Sequence, residues 1–326
     1  MKQTINLIDD PRPGGIRSLL DDMSSAGIWG TEEWQIRNVN PVRPIVLGRR
    51  YDTIVVHYSM AWRKLPALFL LRKTNPHAKI VIVEHHYTAG FEQRHIPSVR
   101  RFRTLLRTCY RLADEVVAVS AAQARWLRAA GVVSADKLQT IPSCRNYAKF
   151  LEIPRVEKSV GPIVVGALGR IEHSKGFDLL VSAIAGLPDV DYQLKIAGDG
   201  SALDALKQQA ANLDNVEFIG HLDDPSAFLG SCDVLVMPSR FEAFGLVCAE
   251  AKACGLPVIV SDVDGLPEQV QDCGVVIEPE CEKSIRQALR FVSRPSRLHI
   301  FSRKARASVV NAWSDYLTAW SRVLAH

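Results

Sequence analysis

Nowhere in the chain does an apolar run approach the roughly 18–20 residues that cross a bilayer. The longest, "LPALFLLRK" at 65–73, stops well short, which argues against a membrane-spanning helix. The N-terminal "MKQTINLIDD" turns acidic at once and lacks the apolar core and cleavage site of a secretory leader. A cytoplasmic protein is therefore expected. CxxC pairs and zinc-finger spacings are missing, so the seven cysteines read as small core residues, Cys248 and Cys254 among them. The first strand is followed by "DDPRPGGIRSLL" without GxGxxG, which argues against a nicotinamide dehydrogenase. No carboxylate cluster suits a metal; "DVD" at 262–264 follows a strand and reads as a loop. No metal, no cofactor and no nucleic-acid partner are expected.

What is present is a large apolar content. Of 326 residues, 47% are hydrophobic, enough for about two domains at the usual ~100–200 residues each. The net charge of +5 conceals an asymmetry. Residues 1–156 carry 24 Lys and Arg against 13 Asp and Glu, while residues 157–326 carry 16 against 22. A basic half joined to an acidic half suits two units with different partners.

Short Val/Ile runs alternate with helical patterns along the whole chain. The strand candidates of the first half are 5–10, 53–58, 79–86, 115–120 and 138–143, with helices near 64–73, 98–112 and 121–130. The charged, proline-containing stretch 147–162 reads as a linker. Strands then recur at 163–170, 192–200, 216–220, 234–239, 257–262 and 274–279, and from 280 the chain is mostly helical. Continuous apolar strands separated by helices predict parallel sheets covered on both faces. The expectation is an α/β protein with two doubly wound, Rossmann-like domains facing across a cleft: residues 1–155, residues 156–310, and a terminal helix 311–326 packing back on the first domain. Ligands of such sheets bind at the carboxyl ends of the strands.

Three strand ends carry candidate chemistry. In "GALGRIEHSKG" (166–176), Gly169 and Arg170 end a strand and Lys175 precedes a helix. Two cations at a glycine-rich strand end suit a diphosphate, although isolated loop charges look the same. "AGDG" (197–200) brings Gly198, which either admits a ligand to the backbone or makes a tight turn. In "FEAFGLVCAE" (241–250), Phe244 and Gly245 end a loop, and the amides of Gly245, Leu246 and Val247 are unpaired donors at a helix start. Glu242 precedes that helix and Glu250 lies about a turn inside it. A carboxylate beside a diphosphate would be repelled, so Glu250 suits a ribose diol; the plainer alternative is that both glutamates favour the helix dipole.

Together, G-R-x₄-K-G, A-G-D-G and E-x-F-G-L-x₃-E before "GLPVIVS" resemble the donor-binding half of the retaining family 4 glycosyltransferases (glycosyl transferases group 1), which have the GT-B fold. The two glutamates have the spacing of that family's E-x₇-E element, and "GLPEQV" (265–270) is similar to the segment after its next strand. In the first half "PGGIRSLL", with Gly14 and Gly15, resembles the family's glycine loop near the donor phosphates. "VEHHY" resembles the strand end whose histidine lies beside the transferred sugar; His85 is the matching position and His86 its competitor, while His57 reads as structural. "IPSC" (141–144) departs from the family's "IPNG" and leaves the acceptor side open, as does a short first domain in which one strand–helix pair looks reduced.

The resemblance implies metal-independent transfer of a sugar from a nucleotide-diphosphate sugar (UDP- or GDP-sugar) with retention at the anomeric carbon. The acceptor would be a hydroxyl on a lipid-linked or polysaccharide intermediate. Arg170, Lys175 and backbone amides would take the diphosphate charge, Glu250 the ribose, Glu242 a sugar hydroxyl, and His85 the sugar near the reacting carbon. Gly220 and His221 would lie near the base. The alternatives are a GT-B nucleotide-sugar epimerase and a non-catalytic nucleotide-sugar-binding subunit. Residues 98–115 place Arg100, Arg101, Arg103, Arg107 and Arg111 opposite an apolar face. That pattern suits either peripheral contact with an anionic membrane or a sheet-covering helix with solvated arginines.

Overall fold

The computed structural model describes residues 2–10, 14–27, 31–154 and 161–325. Contacts divide the chain into two compact units, residues 1–146 with 313–326, and residues 147–312.

Among the described residues the first unit holds six parallel strands: β1 (Lys2–Ile8), β2 (Thr31–Asn38), β3 (Thr53–Val56), β4 (Lys79–Glu84), β5 (Glu115–Ala118) and β6 (Leu138–Thr140). Their order in the sheet is β2-β1-β3-β4-β5-β6, so the direction of winding reverses between β1 and β3. β3 and β4 are apolar runs buried on both faces because helices cover both sides. Ile54, Val56, Ile80 and Ile82 share a core with Leu68 and Leu71 of the helix Leu65–Thr74. Each such side chain contributes roughly 1.5–3 kcal/mol on burial.

Two elements were not expected from the sequence, the strand β2 and a short helix after β4. The segment before β3 contains the strand β2, but no helix is found between it and β3 among the described residues. β2 reads "TEEWQIRN", alternating Trp34 and Ile36 with polar residues on a half-exposed sheet edge, and so lacks the Val/Ile run of the inner strands. A short helix Ala89–His95, capped by the Thr88 hydroxyl accepting from the Phe91 amide, precedes the helix Val99–Arg111. On the latter, Phe102, Leu105, Leu106, Cys109 and Tyr110 are core residues of the unit. The apolar face that a bilayer would take is thus already occupied, and the sheet-covering alternative describes this helix. Arg100, Arg101 and Arg111 remain exposed, whereas Arg103 pairs with Glu92 and Arg107 donates to the Gly131 carbonyl.

The second unit holds β7 (Ile163–Leu168), β8 (Tyr192–Ala197), β9 (Val216–Gly220), β10 (Val234–Met237), β11 (Val258–Ser261) and β12 (Gly274–Ile277), again all parallel among the described residues. The order β12-β11-β10-β7-β8-β9 puts the reversal between β7 and β10. The stretch read as a linker begins with a helix, Ala148–Glu152, whose following Ile153 carbonyl accepts from Arg306. No helix among the described residues is long and apolar enough to cross a membrane.

Candidate active site

The loops that follow β7 and β10 meet at the reversal point of the second sheet, where an α/β fold opens a crevice. The loop after β7 turns at Gly169, whose φ of 143° a side chain would disfavour. Gly198, at the end of β8, has a φ of 137°, and a Cβ there would collide with the Gly169 carbonyl. The glycine of "AGDG" is therefore a close approach of two strand-end backbones. Arg170 follows, exposed and without a side-chain hydrogen bond among the described residues.

A 3₁₀ turn, His173–Lys175, leads to Gly176 in the left-handed region, which caps the helix Phe177–Ala185. A buried cation from the other loop fixes this turn. Arg240, 6% exposed, donates to the His173 carbonyl at 2.6 Å and forks onto Asp178 at 2.8 and 2.7 Å. It also reaches Glu280 at 3.0 Å, and its backbone amide donates to Ser174. Burial pushes the Asp178 carboxyl up, but its hydrogen bonds and attraction to Arg240 outweigh this and hold it below its ordinary value. The hydrogen bond to Asp178 is the main cause of a raised Arg240 value. A bidentate guanidinium–carboxylate fork is geometrically specific, which suits a residue that fixes a turn.

The fixed turn delivers Lys175, whose ammonium pairs with the Glu242 carboxylate. The sequence reading gave these two residues different targets; without ligand they bind each other. The Glu242 backbone is itself braced, donating to Asp264 at 3.0 Å and accepting from Gly265 at 3.2 Å. The "DVD" stretch is a loop, and its second aspartate holds Glu242 in place.

Gly245 caps the helix Leu246–Ala253 with a φ of 88°; a Cβ there would lie 2.8 Å from Leu266 and 3.0 Å from Met237. The amides of Gly245, Leu246 and Val247 have no hydrogen-bond acceptor among the described residues. Gln269, 5% exposed, donates from its side chain to the Phe244 and Gly245 carbonyls and so sets the direction of the loop. Glu250 lies a turn further along, 5% exposed. Gly220, with φ 83°, ends β9 and accepts from the Gly198 amide at 2.7 Å; the neighbouring His221 is exposed and lies 3.5 Å from Asp223.

Arg240, Asp178, Gln269 and Asp264 were not singled out from the sequence. Each acts through another residue, across 62, 25 or 22 positions, and no local pattern marks such partners.

In the first unit, Gly14 caps the helix Gly15–Ala26, and both glycines are exposed; residues 11–13 of the proline–glycine loop lie outside the described residues. His85 follows β4, partly buried, and His86 beside it is exposed. His57, 3% exposed, joins them: its Nδ1 lies 3.0 Å from His85 Nε2 and its Nε2 lies 3.1 Å from Asn6 Oδ1. Burial pushes the His57 imidazole down to about 3. His85 also lies well below its ordinary value, through burial first and then the neighbouring His57 and His86.

Two doubly wound parallel sheets in tandem define the two-domain Rossmann-like GT-B architecture, and the loops after strands of the second carry Arg170, the Lys175–Glu242 pair and the bare amides of residues 245–247. The family description "Glycosyl transferases group 1" matches residues 149–308, and "Glycosyl transferase 4-like domain" matches residues 24–144. The chain belongs to the group 1 glycosyltransferases. It is 35% identical over 178 residues to a glycogen synthase of Mycobacterium tuberculosis, a match covering 50% of this chain and 42% of the relative. It is 36% identical over 135 residues to a GDP-mannose-dependent alpha-(1-6)-phosphatidylinositol dimannoside mannosyltransferase of the same organism, covering 40% and 35%. These matches span less than half the length of either relative. Among solved structures, Anabaena HepE in complex with UDP and glucose superposes with a TM-score of 0.80 over 100% of both chains at 18% identity, a likeness of fold.

Proposed function

We propose that the protein transfers a sugar, with retention, from a UDP- or GDP-sugar to a hydroxyl of a polysaccharide or lipid-linked acceptor. The observation that carries this reading is the Lys175–Glu242 pair beside the bare amides of residues 245–247. A diphosphate competes for Lys175 because two negative phosphates attract an ammonium more strongly than one carboxylate does. Its arrival releases Glu242, which then accepts from a sugar hydroxyl. Arg170, Lys175 and the helix-start amides stabilise the charge that grows on the leaving diphosphate. One preorganised donor of this kind is typically worth about 2.7–4 kcal/mol in rate. Glu250 is assigned to the ribose, and His85 to the donor sugar. The binding of UDP by HepE and the GDP-mannose dependence of the mycobacterial relative support a nucleotide-diphosphate donor and leave both bases in play.

Thermal-shift titration with UDP, GDP and ADP tests the reading, followed by nucleotide release from a sugar-nucleotide panel and anomeric analysis of the product. Stabilisation by UDP or GDP and a product of retained configuration are expected. No binding of any diphosphate nucleotide, or an inverted product, overturns it.

A further inference from the structure

Three buried or half-buried side chains in the first unit form a hydrogen-bonded line whose proton positions follow from one backbone carbonyl. Asn6 on β1 is fully buried, and its Nδ2 lies 3.1 Å from the Gln35 carbonyl oxygen on β2. A carbonyl oxygen only accepts, so the group facing it is the amide NH₂. Asn6 Oδ1 is thereby turned towards His57 Nε2, at 3.1 Å. An amide oxygen also only accepts, so His57 carries its proton on Nε2.

His57 is neutral at physiological pH, burial having removed its basicity. A neutral imidazole has one N–H, and His57 Nδ1 is therefore a bare lone pair. It lies 3.0 Å from His85 Nε2, which must supply the proton. The rings are inclined by 26° with centroids 5.3 Å apart, the separation of two imidazoles joined edge to edge by a hydrogen bond. His85 Nδ1 makes no hydrogen bond among the described residues and is not one of the buried unsatisfied atoms.

We propose that Asn6 and His57 are positioning residues that lock His85 with its proton on Nε2, so that its bare Nδ1 accepts a hydrogen bond from a donor-sugar hydroxyl. The part that concerns the sugar rests on the assignment of His85 to the donor. The device works because each member offers one donor and one acceptor, and the fixed end is a peptide carbonyl that cannot invert. A donating His85 would suit an ether or carboxylate oxygen; an accepting one selects a hydroxyl.

The tautomer is read directly in the unaltered protein by long-range ¹H–¹⁵N correlation spectra of ¹⁵N-histidine-labelled chain at pH 7, with His85 and His57 identified by His85→Gln and His57→Gln. Both rings are expected to carry the proton on Nε2. A proton on His85 Nδ1 overturns the proposal. A second reading comes from Asn6→Asp, which is isosteric, keeps one oxygen facing His57 and loses the hydrogen bond to the Gln35 carbonyl. The carboxylate still accepts from His57, but its charge favours the imidazolium, which donates from both nitrogens. His85 Nε2 must then accept, and its remaining proton moves to Nδ1.

His57 faces Asn6 and His85, and the His86 ring lies beside that of His85. Release of UDP from UDP-glucose and of GDP from GDP-mannose should therefore show a new acidic limb in kcat for Asn6→Asp, about tenfold at its foot, with UDP or GDP binding unchanged. A pH profile identical to the unaltered protein's overturns the proposal, because a purely structural role gives no new titration. If neither nucleotide binds the unaltered protein, the donor assignment fails by itself, while the spectra still decide the lock.

Discussion

The Cα of Gly176 faces the Pro238 carbonyl so closely that any side chain at 176 would run into it. Through this contact the turn carrying Lys175 is seated on the loop that carries Glu242. Gly176 also has a φ of 67°, so the position combines a left-handed backbone with an absence of room. Gly176→Ala is expected to cost about 2–5 kcal/mol: roughly 1–2 kcal/mol for the left-handed backbone and about 1–3 for overpacking. Urea unfolding checks it. The same variant should weaken nucleotide binding at temperatures where it is still folded.

Lys175 and Glu242 should respond in opposite senses. Lys175→Ala removes the cation assigned above to the diphosphate and is expected to weaken UDP or GDP binding at least tenfold, about 1.4 kcal/mol. Glu242→Gln removes the competitor for Lys175, so the nucleotide alone should bind as well or better while sugar transfer falls. Calorimetry with the nucleotide, set beside turnover of the sugar nucleotide, separates the two. Equal loss of nucleotide affinity in both variants contradicts the competition.

Glu250→Ala should weaken the same nucleotides at least about tenfold, and a deoxyribose nucleotide should lose less than the ribose form when the variant is made. Equal losses for the two sugars would remove Glu250 from the ribose.

Arg240 supports a prediction in pH. The Asp178 carboxyl is held low in the folded chain, so its contribution to stability is present above its unfolded value, near 3.9. That contribution is lost as pH falls through the lower folded value. Arg240 is held high, so its contribution is constant at and below neutrality. Arg240→Gln should flatten the acid limb of stability below about pH 4. Thermal unfolding across pH 3–7 tests this, and an unchanged limb counts against it.

The histidine pair gives a second, separate pH window. His57 and His85 are held neutral in the folded chain, with His57 near 3, and titrate near 6.5 when unfolded. The stability they contribute is present above about 6.5 and is lost as pH falls towards the folded values. His57→Gln should make stability less steep between about pH 6.5 and 4. An equally steep profile would show that other groups dominate that range.

The alternation of Val/Ile runs with helical patterns was enough to specify two parallel, helix-covered units, because strands buried on both faces need no partner to be recognised. It missed β2, where Trp34 and Ile36 alternate with polar residues on an edge strand. The glycines of the strand ends and the Lys175, Glu242 and Gly245 positions could be picked out as candidates because each lies in a motif only a few residues long. Local spacing could not show that Lys175 and Glu242 bind each other, or that Arg240 and Gln269 hold the loops that carry them. Nor could it show that His57, read as structural, sets the proton of His85. A buried donor is satisfied by whatever acceptor the fold brings near, and for these residues that acceptor lies 24 to 67 positions away along the chain.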